Sequence, residues 1–208
     1  MHLYTFDAAP NPARLKMFMD YKGISIESTQ IDLGKGEQLG ETYRSIVPEA
    51  TVPALVLDDG SVLCAVIAIV HYLEAQHPRK PLLGRTPEAR AHILNWNHRL
   101  FGEVYGPIAD AFRNTHPNYA KRALPGPANV EQLPELVARG KARLTQSFAM
   151  LDEALARTPF LAGEHFSFAD IDLLAAIGFA KWGARLTPDD SLQHLHRWRA
   201  AAKAALNG

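Results

Sequence analysis

The sequence contains almost no cysteine and has no excess of charge of either sign. Cys64 is the single cysteine among 208 residues, so an internal disulfide or a two-cysteine redox or metal site is excluded. Lysine and arginine together number 22, as do aspartate and glutamate, and the formal net charge is therefore zero. A neutral chain lacks the basic surface that attracts nucleic acid or an anionic membrane. We expect neither as a partner.

Long apolar runs are also missing. No stretch of the sequence approaches the roughly 20 apolar residues that a membrane-spanning helix needs. The first residues, His2 to Phe6, have the pattern of a strand and not that of a signal peptide, so we expect a cytoplasmic protein. The histidines show no metal-ligand spacing, because His194 and His196 diverge on a helix and His92 and His98 differ in helical phase. No metal site is expected.

Strand patterns are confined to the first 77 residues. An Asp-Gly pair, Asp59-Gly60, indicates a hairpin between the last two of four predicted strands. A helix with Asn11 as its cap and Pro12 in its first turn is expected to end at Gly23, and another follows the hairpin. The predicted strands are Leu3–Phe6, Glu27–Leu33, Ala54–Leu57 and Ser61–Cys64. Residues 1–77 are therefore predicted to form an α/β domain.

From Pro87 onward only helical patterns remain. Apolar residues repeat with helical spacing from Ile93 to Phe112, and Pro107 predicts a kink in that helix. Further helices are predicted over residues 133–155, 168–182 and 189–206. The polar, proline-rich stretch 78–86 has the composition of a linker. The sequence thus predicts an all-helical domain over residues 87–208.

Three segments could carry chemistry or shape a site. A cis bond before Pro53 would expose the backbone of Val52 to a ligand, although a trans proline at the start of a strand is the commoner arrangement. The turn 7–11 leads into a helix N-terminus, which favours an anion or a thiolate, but the turn contains no Ser, Cys or Tyr. Ser167 and Asp170 have capping-box spacing, which indicates a structural role. Cys64 lies between apolar neighbours and is expected to be an unreactive thiol.

These features together resemble the glutathione S-transferase family, over essentially the whole chain. The segments that carry the resemblance are 52–55 at the family's cis-proline strand, the hairpin 57–63, the helix segment 68–74 (Ala-Ile-Val-His-Tyr-Leu-Glu) and the capping motif 167–171. Residues 36–38, 96–99 and 112–117 are similar to the bacterial and fungal theta-like branch. The resemblance implies a thioredoxin-like α/β N-terminal domain, an all-α C-terminal domain and a cis bond before Pro53. It also implies a homodimer.

The resemblance implies a site for glutathione as co-substrate, without a metal. Asn11 at the first helix is the implied catalytic residue and holds the thiolate, and the glutathione backbone pairs with Val52 before Pro53. The γ-glutamyl end lies where the next helix begins, at Ala65 and Val66. The implied acceptor pocket is lined by residues of the long helix, namely Tyr105, Phe112 and His116.

The sequence departs from the family pattern at several of these positions. Ala9 stands where the branch has a serine, and Ala65 and Val66 replace a Glu-Ser pair that binds the γ-glutamyl end. A hydrogen bond to a charged group contributes about 1.5–3 kcal/mol, and about 1.4 kcal/mol corresponds to a tenfold change in affinity. Loss of both contacts is therefore expected to weaken glutathione binding on the order of 10² to 10⁴-fold.

Two functions remain open from the sequence. One is conjugation of the glutathione thiol to small electrophiles, with weak glutathione binding. The other is a non-catalytic homologue that binds another small ligand in the interdomain cleft. Retention of glutathione separates the two. A thiol–disulfide oxidoreductase is excluded, because Ala8 and Ala9 occupy the turn where that chemistry requires a cysteine.

Overall fold

The computed structural model describes residues 1–207, which form two compact units. The first unit contains residues 1–80 together with 124–130, and the second contains the other residues. The Pro/Gly-rich segment 124–130 falls inside the range predicted for the helical domain. It nevertheless belongs to the first unit, where a Cβ placed on Gly126 would lie 3.8 Å from the carbonyl oxygen of Glu49.

The first unit is a four-stranded sheet with helices. Its strands are β1 (His2–Thr5), β2 (Ser28–Gln30), β3 (Ala54–Val56) and β4 (Val62–Leu63), and its helices are α1 (Pro10–Lys22), α2 (Glu41–Arg44) and α3 (Val66–Gln76). The strand order is β2-β1-β3-β4, with β1 parallel to β2 and antiparallel to β3. All four predicted strands are present: β1 has the predicted length but begins one residue earlier, and the other three are shorter than predicted. This is the expected thioredoxin-like arrangement.

Helix α1 begins earlier than its sequence suggests. The prediction that Asn11 caps the helix is wrong, because Ala9 is the capping residue and Pro10 is the first helical one. Proline fits the first helical position, where its missing N–H costs nothing, and it holds the preceding Ala9 in an extended conformation. The predicted end is confirmed: Gly23 adopts the left-handed conformation, with a φ of 67°.

The second unit contains only helices. They are α4 (Pro87–Leu100), α5 (Gly106–Arg113), α6 (Glu135–Leu155), α7 (Phe168–Phe179) and α8 (Gln193–Asn207). This confirms the all-helical C-terminal domain that the sequence predicts. Among residues 1–207, no helix has the length and apolar character that crossing a membrane demands.

Pro107 interrupts the long predicted helix. A wide π-helical turn, Phe101–Tyr105, separates α4 from α5. Proline cannot donate to the carbonyl four residues earlier, that of Glu103. The hydroxyl of Ser147 on α6 donates to this carbonyl at 2.5 Å instead, so a neighbouring helix restores the hydrogen bond that the proline removes.

Side-chain hydrogen bonds determine where α7 and α8 begin. The capping box at the start of α7 is confirmed, with the N–H of Ser167 donating to Asp170 at 2.9 Å. Helix α8 begins four residues later than its predicted start at Asp189. The Asp189 carboxylate accepts from the N–H and the hydroxyl of Ser191, which closes a turn there instead of a helix.

Arg185 occupies a backbone conformation that favours glycine. It follows α7 and a second π-helical turn, with φ 54° and ψ 44°, and its side chain is exposed. Arg185→Gly is therefore expected to raise the free energy of unfolding by about 1 kcal/mol, as measured by urea denaturation. Lys203→Gly, at an exposed interior position of α8, is the control and should lower it by about 1 kcal/mol. Loss of stability in both variants would contradict the prediction.

Candidate functional site

Among the described residues at the start of α1, only Asn11 has hydrogen-bond donors that are free to bind a ligand. Pro10 and Pro12 have no N–H, and the N–H of Ala13 donates to the carbonyl of Ala9 at 2.9 Å. The N–H of Asn11 has no acceptor within residues 1–207. The half-buried side chain of Asn11 adds an amide to this N–H. An anion at this helix end would therefore meet Asn11 first.

The segment before β3 also presents unpaired backbone groups. The peptide bond between Val52 and Pro53 is cis, and both residues are buried. Neither the N–H nor the carbonyl of Val52 forms a hydrogen bond within the part of the chain that the structure describes. A hydrogen bond anchors this loop, because the Tyr43 hydroxyl donates to the carbonyl of Thr51 at 2.6 Å. A ligand with an extended backbone could pair with Val52.

The start of α3 has no side-chain cap. Ala65 is the capping residue and is exposed, and Val66 is the first helical residue and is buried. The carbonyl of Ala65 accepts from the N–H groups of Ala68 and Ile69, which leaves those of Val66 and Ile67 at the helix end. This end can hold a carboxylate through its backbone, but it offers no side chain for an ammonium group.

Strand register brings these three segments to one end of the sheet. Tyr4 near the end of β1 pairs with Ala54 at the start of β3, and Leu55 pairs with Leu63 at the end of β4. The turn into α1, the Val52 segment and the turn into α3 therefore leave the sheet at the same end. The structure thus groups Asn11, residues 52–53 and residues 65–66 at this end of the sheet.

Cys64 lies at this end of the sheet but has a poor thiol for chemistry. Burial raises the pKa of Cys64 to about 11, and the carboxylate of Glu49, with Oε2 3.7 Å from the sulfur, adds to the increase. The thiolate is the reactive form of cysteine. Cys64 is therefore almost entirely neutral at physiological pH.

The Cys64 thiol is expected to react slowly with iodoacetamide. A pKa of about 11 predicts that the alkylation rate keeps rising with pH up to about 11. At pH 7.5 the rate should be roughly 10 to 100-fold below that of an unhindered thiol of ordinary pKa. Mass spectrometry of the labelled protein between pH 7 and pH 11.5 measures the profile. A plateau below pH 9 would contradict the prediction.

The acceptor residues predicted on the long helix separate into two groups. Tyr105 is 5% exposed, and its hydroxyl donates to the carbonyl of Asp172 at 2.9 Å inside the helical unit. Phe112 and His116 instead belong to a group of five rings whose neighbouring centroids lie 4.9–5.7 Å apart. We call this group the aromatic cluster; its members are Phe112, His116, Tyr119, Phe179 and Trp182.

Three members of the aromatic cluster were missed by the sequence analysis. Phe179 ends α7 and Trp182 lies in the π-helical turn that follows; their spacing of three residues is typical of side chains on one helix face and could have indicated both. Trp182 is 50% exposed, so half of this large apolar side chain faces solvent. No cluster of metal-ligating side chains exists among the described residues.

Comparisons with known proteins agree with this fold. The family model of the glutathione S-transferase N-terminal domain matches residues 3–81, and that of the C-terminal domain matches residues 134–203. Glutathione S-transferase 2 of Saccharomyces cerevisiae is 29% identical over 200 residues, which cover 95% of this chain and 83% of the relative.

Two crystal structures are similar over nearly the full chain. A glutathione S-transferase domain-containing protein from Marinobacter aquaeolei superposes with a TM-score of 0.86 at 32% identity, covering 99% of this chain and 100% of that one. Gtt2 from Saccharomyces cerevisiae gives the same TM-score of 0.86 at 28% identity, with coverage of 99% and 100%. The two-unit fold, the family models and these relatives agree: the chain belongs to the glutathione S-transferase family.

Proposed function

We propose that this protein binds glutathione on its first unit and joins the thiol sulfur to small electrophiles. The observation that carries the proposal is the group of unpaired backbone donors and acceptors at one end of the sheet, at Asn11 and Val52. Val52 can pair with the peptide backbone of glutathione, and Asn11 lies where a helix end can hold the sulfur. The family relationship supports glutathione as the co-substrate.

Thiol activation in this proposal depends on Asn11. The N–H and the side-chain amide of Asn11 donate to the sulfur and favour the thiolate over the thiol. The positive end of the α1 dipole adds to this effect. The thiol proton leaves to solvent, the sulfur forms a bond to an electrophilic carbon, and the displaced group departs with its electron pair.

The acceptor is proposed to pack against the aromatic cluster. Aromatic rings prefer edge-to-face or offset contacts with one another, and Trp182 leaves half of its surface for such a contact. Phe112 and His116 supply further ring surface. Tyr105 contributes from the interior, since its hydrogen bond to the backbone of Asp172 ties the π-helical turn to α7, which carries Phe179.

Glutathione titration and a conjugation assay, on wild type and two variants, test the proposal. Wild type should bind glutathione weakly by isothermal titration and conjugate 1-chloro-2,4-dinitrobenzene, with the product followed by its absorbance. Asn11→Ala should lower kcat/KM by roughly tenfold and raise the pKa of the bound thiol, because charge-assisted hydrogen bonds are lost. Asn95→Ala, at an exposed position of α4, is the matched control and should behave as wild type.

Glutathione binding distinguishes the proposed function from a non-catalytic homologue that binds another small ligand. Binding without turnover would retain glutathione as the ligand and overturn the conjugation step. Absence of binding at millimolar glutathione would overturn the proposal altogether. An unchanged thiol pKa in Asn11→Ala would show that another group activates the sulfur.

Two further expectations follow from the family relationship. We propose a two-fold homodimer, which is the commonest closed symmetry of soluble oligomers, and a cytoplasmic location. Light scattering during gel filtration should give about twice the chain mass of 22.9 kDa. A monomeric mass at micromolar concentration would contradict the dimer.

A further inference from the structure

The proposed glutathione site lacks a carboxylate where the γ-glutamyl ammonium must lie. Ala65 stands at the position that would supply one, and its side chain is a methyl group. A primary ammonium group taken from water into a site needs an acceptor or a negative partner, because an unpaired charge is costly to desolvate. The question is whether another residue supplies that partner.

Glu49 places a carboxylate next to this position. Its Oε2 lies 3.7 Å from the sulfur of Cys64, and Cys64 is bonded directly to Ala65. Glu49 itself is exposed, on the loop between α2 and β3. The carboxylate thus reaches from the loop to the end of β4, where the chain turns into α3.

The negative charge of Glu49 is available to a ligand. No lysine, arginine, histidine or N-terminal ammonium in residues 1–207 forms an ion pair with it. The Glu49 carboxylate contributes to the raised pKa of both Cys64 and Tyr43, which places its field at this end of the sheet. The Glu49 carboxylate can therefore form an ion pair with a cationic group of a ligand bound at this end of the sheet.

The loop backbone holds Glu49 between buried anchors. Val47 is fully buried, Ala50 is 4% exposed, and the N–H of Ala50 donates to the carbonyl of Val47 at 3.0 Å. Ala50 has a φ of 54°, so the turn after Glu49 is tight. The anchored backbone therefore fixes the point at which the Glu49 side chain leaves the loop.

We propose that Glu49 is the carboxylate partner of the γ-glutamyl ammonium of glutathione, in place of the carboxylate missing at position 65. The assignment rests on the proposed function. The uncapped start of α3 takes the ligand's α-carboxylate through its backbone N–H groups, and Glu49 takes the ammonium. The site therefore distinguishes a zwitterionic γ-glutamyl group from an acid of the same length without an amine.

The test compares two thiol ligands on the full-length protein. One is glutathione, and the other is the analogue in which a glutaryl group replaces the γ-glutamyl group, so that only the ammonium is absent. Wild type should bind glutathione roughly tenfold more tightly than the analogue by isothermal titration. Glu49→Gln should bind the two equally, because its glutathione affinity falls while its affinity for the analogue does not.

A matched variant controls for the loss of one negative charge. Glu27→Gln removes an exposed carboxylate of the same unit, away from the turn into α3, and should keep the tenfold preference. The Cys64 alkylation profile gives a second measurement. Its midpoint should move to lower pH in Glu49→Gln and stay unchanged in Glu27→Gln.

Each failure has its own signature. If Glu49→Gln still binds glutathione more tightly than the analogue, the assignment is overturned and the proposed function stays intact. The same holds if Glu49→Gln loses affinity for both ligands by the same factor. An unchanged Cys64 midpoint in Glu49→Gln would overturn the placement of the carboxylate. Failure of wild type to bind either ligand would overturn the proposed function and this assignment together.

Discussion

Asp170→Ala should lower the free energy of unfolding by about 3–5 kcal/mol. The Asp170 side chain is fully buried and accepts four hydrogen bonds. The donors are the N–H of Leu161 at 3.0 Å, the N–H and hydroxyl of Ser167 at 2.9 and 3.0 Å, and the indole N–H of Trp198 at 2.8 Å. Alanine would leave all four without an acceptor.

The cost is large because these donors cannot reach water. Ser167 is 3% exposed and Trp198 is fully buried, so neither group can exchange its lost partner for solvent. Burial also raises the pKa of the Asp170 carboxyl, while the hydrogen bonds oppose that increase. The aspartate therefore joins the start of α7 to α8 and to the segment before α7 through one carboxylate.

Chemical denaturation measures the effect against two controls. Ser167→Ala removes one of the four donors and should cost about 1 kcal/mol. Asp190→Ala, at an exposed position before α8, should change little. A loss below 1 kcal/mol for Asp170→Ala would show that the four hydrogen bonds are not a cooperative unit.

The sequence predicts what is local and misses what joins distant segments. The capping box of Ser167 and Asp170 spans three residues, so its spacing alone predicts the start of α7. The indole of Trp198 is 28 residues away and the hydroxyl of Ser147 lies 44 residues from Glu103, and no local pattern indicates either contact. The sequence predicts the start of α1 two residues too late, because Asn11 followed by Pro12 has the pattern of a cap and a first helical residue, whereas Ala9 and Pro10 take those positions.

In the candidate site, too, the sequence predicts local features but not contacts between distant segments. The strand register that groups Asn11, Val52 and Ala65 depends on three short strands, which the sequence predicts because each has a clear pattern. The contact between Glu49 and Cys64 joins a loop to a strand end 15 residues later, and it depends on how the loop is anchored. Predicting it would have required the position of a side chain, which loop sequences do not determine.

Glutathione binding should tighten by roughly tenfold or more when Ala65→Glu and Val66→Ser are combined in the Glu49→Gln variant. Ala65 is exposed at the capping position of α3, where a carboxylate can face the ligand ammonium without displacing core atoms. A serine at position 66 would not cap the helix, since Ala65 holds that position. Its hydroxyl would instead meet the ligand carboxylate beside the backbone N–H groups.

The Val66→Ser substitution is expected to destabilise the protein. Val66 is 3% exposed, so replacing it with serine removes buried methyl groups and should lower the free energy of unfolding by about 1–2 kcal/mol. Ala65→Glu alone avoids that cost and isolates the ammonium contact. Thermal melting of the single and double variants measures the difference, and affinity is compared only between samples that are fully folded.

The gain from Ala65→Glu depends on Glu49, which holds the ammonium in the proposed site. A second carboxylate should add little in wild type and restore most of the affinity in a Glu49→Gln background, because the two side chains bind one charge. The four proteins of this double-mutant cycle are titrated with glutathione. Equal gains in both backgrounds would show that the carboxylates act independently, and no gain in either would place the γ-glutamyl end away from the start of α3.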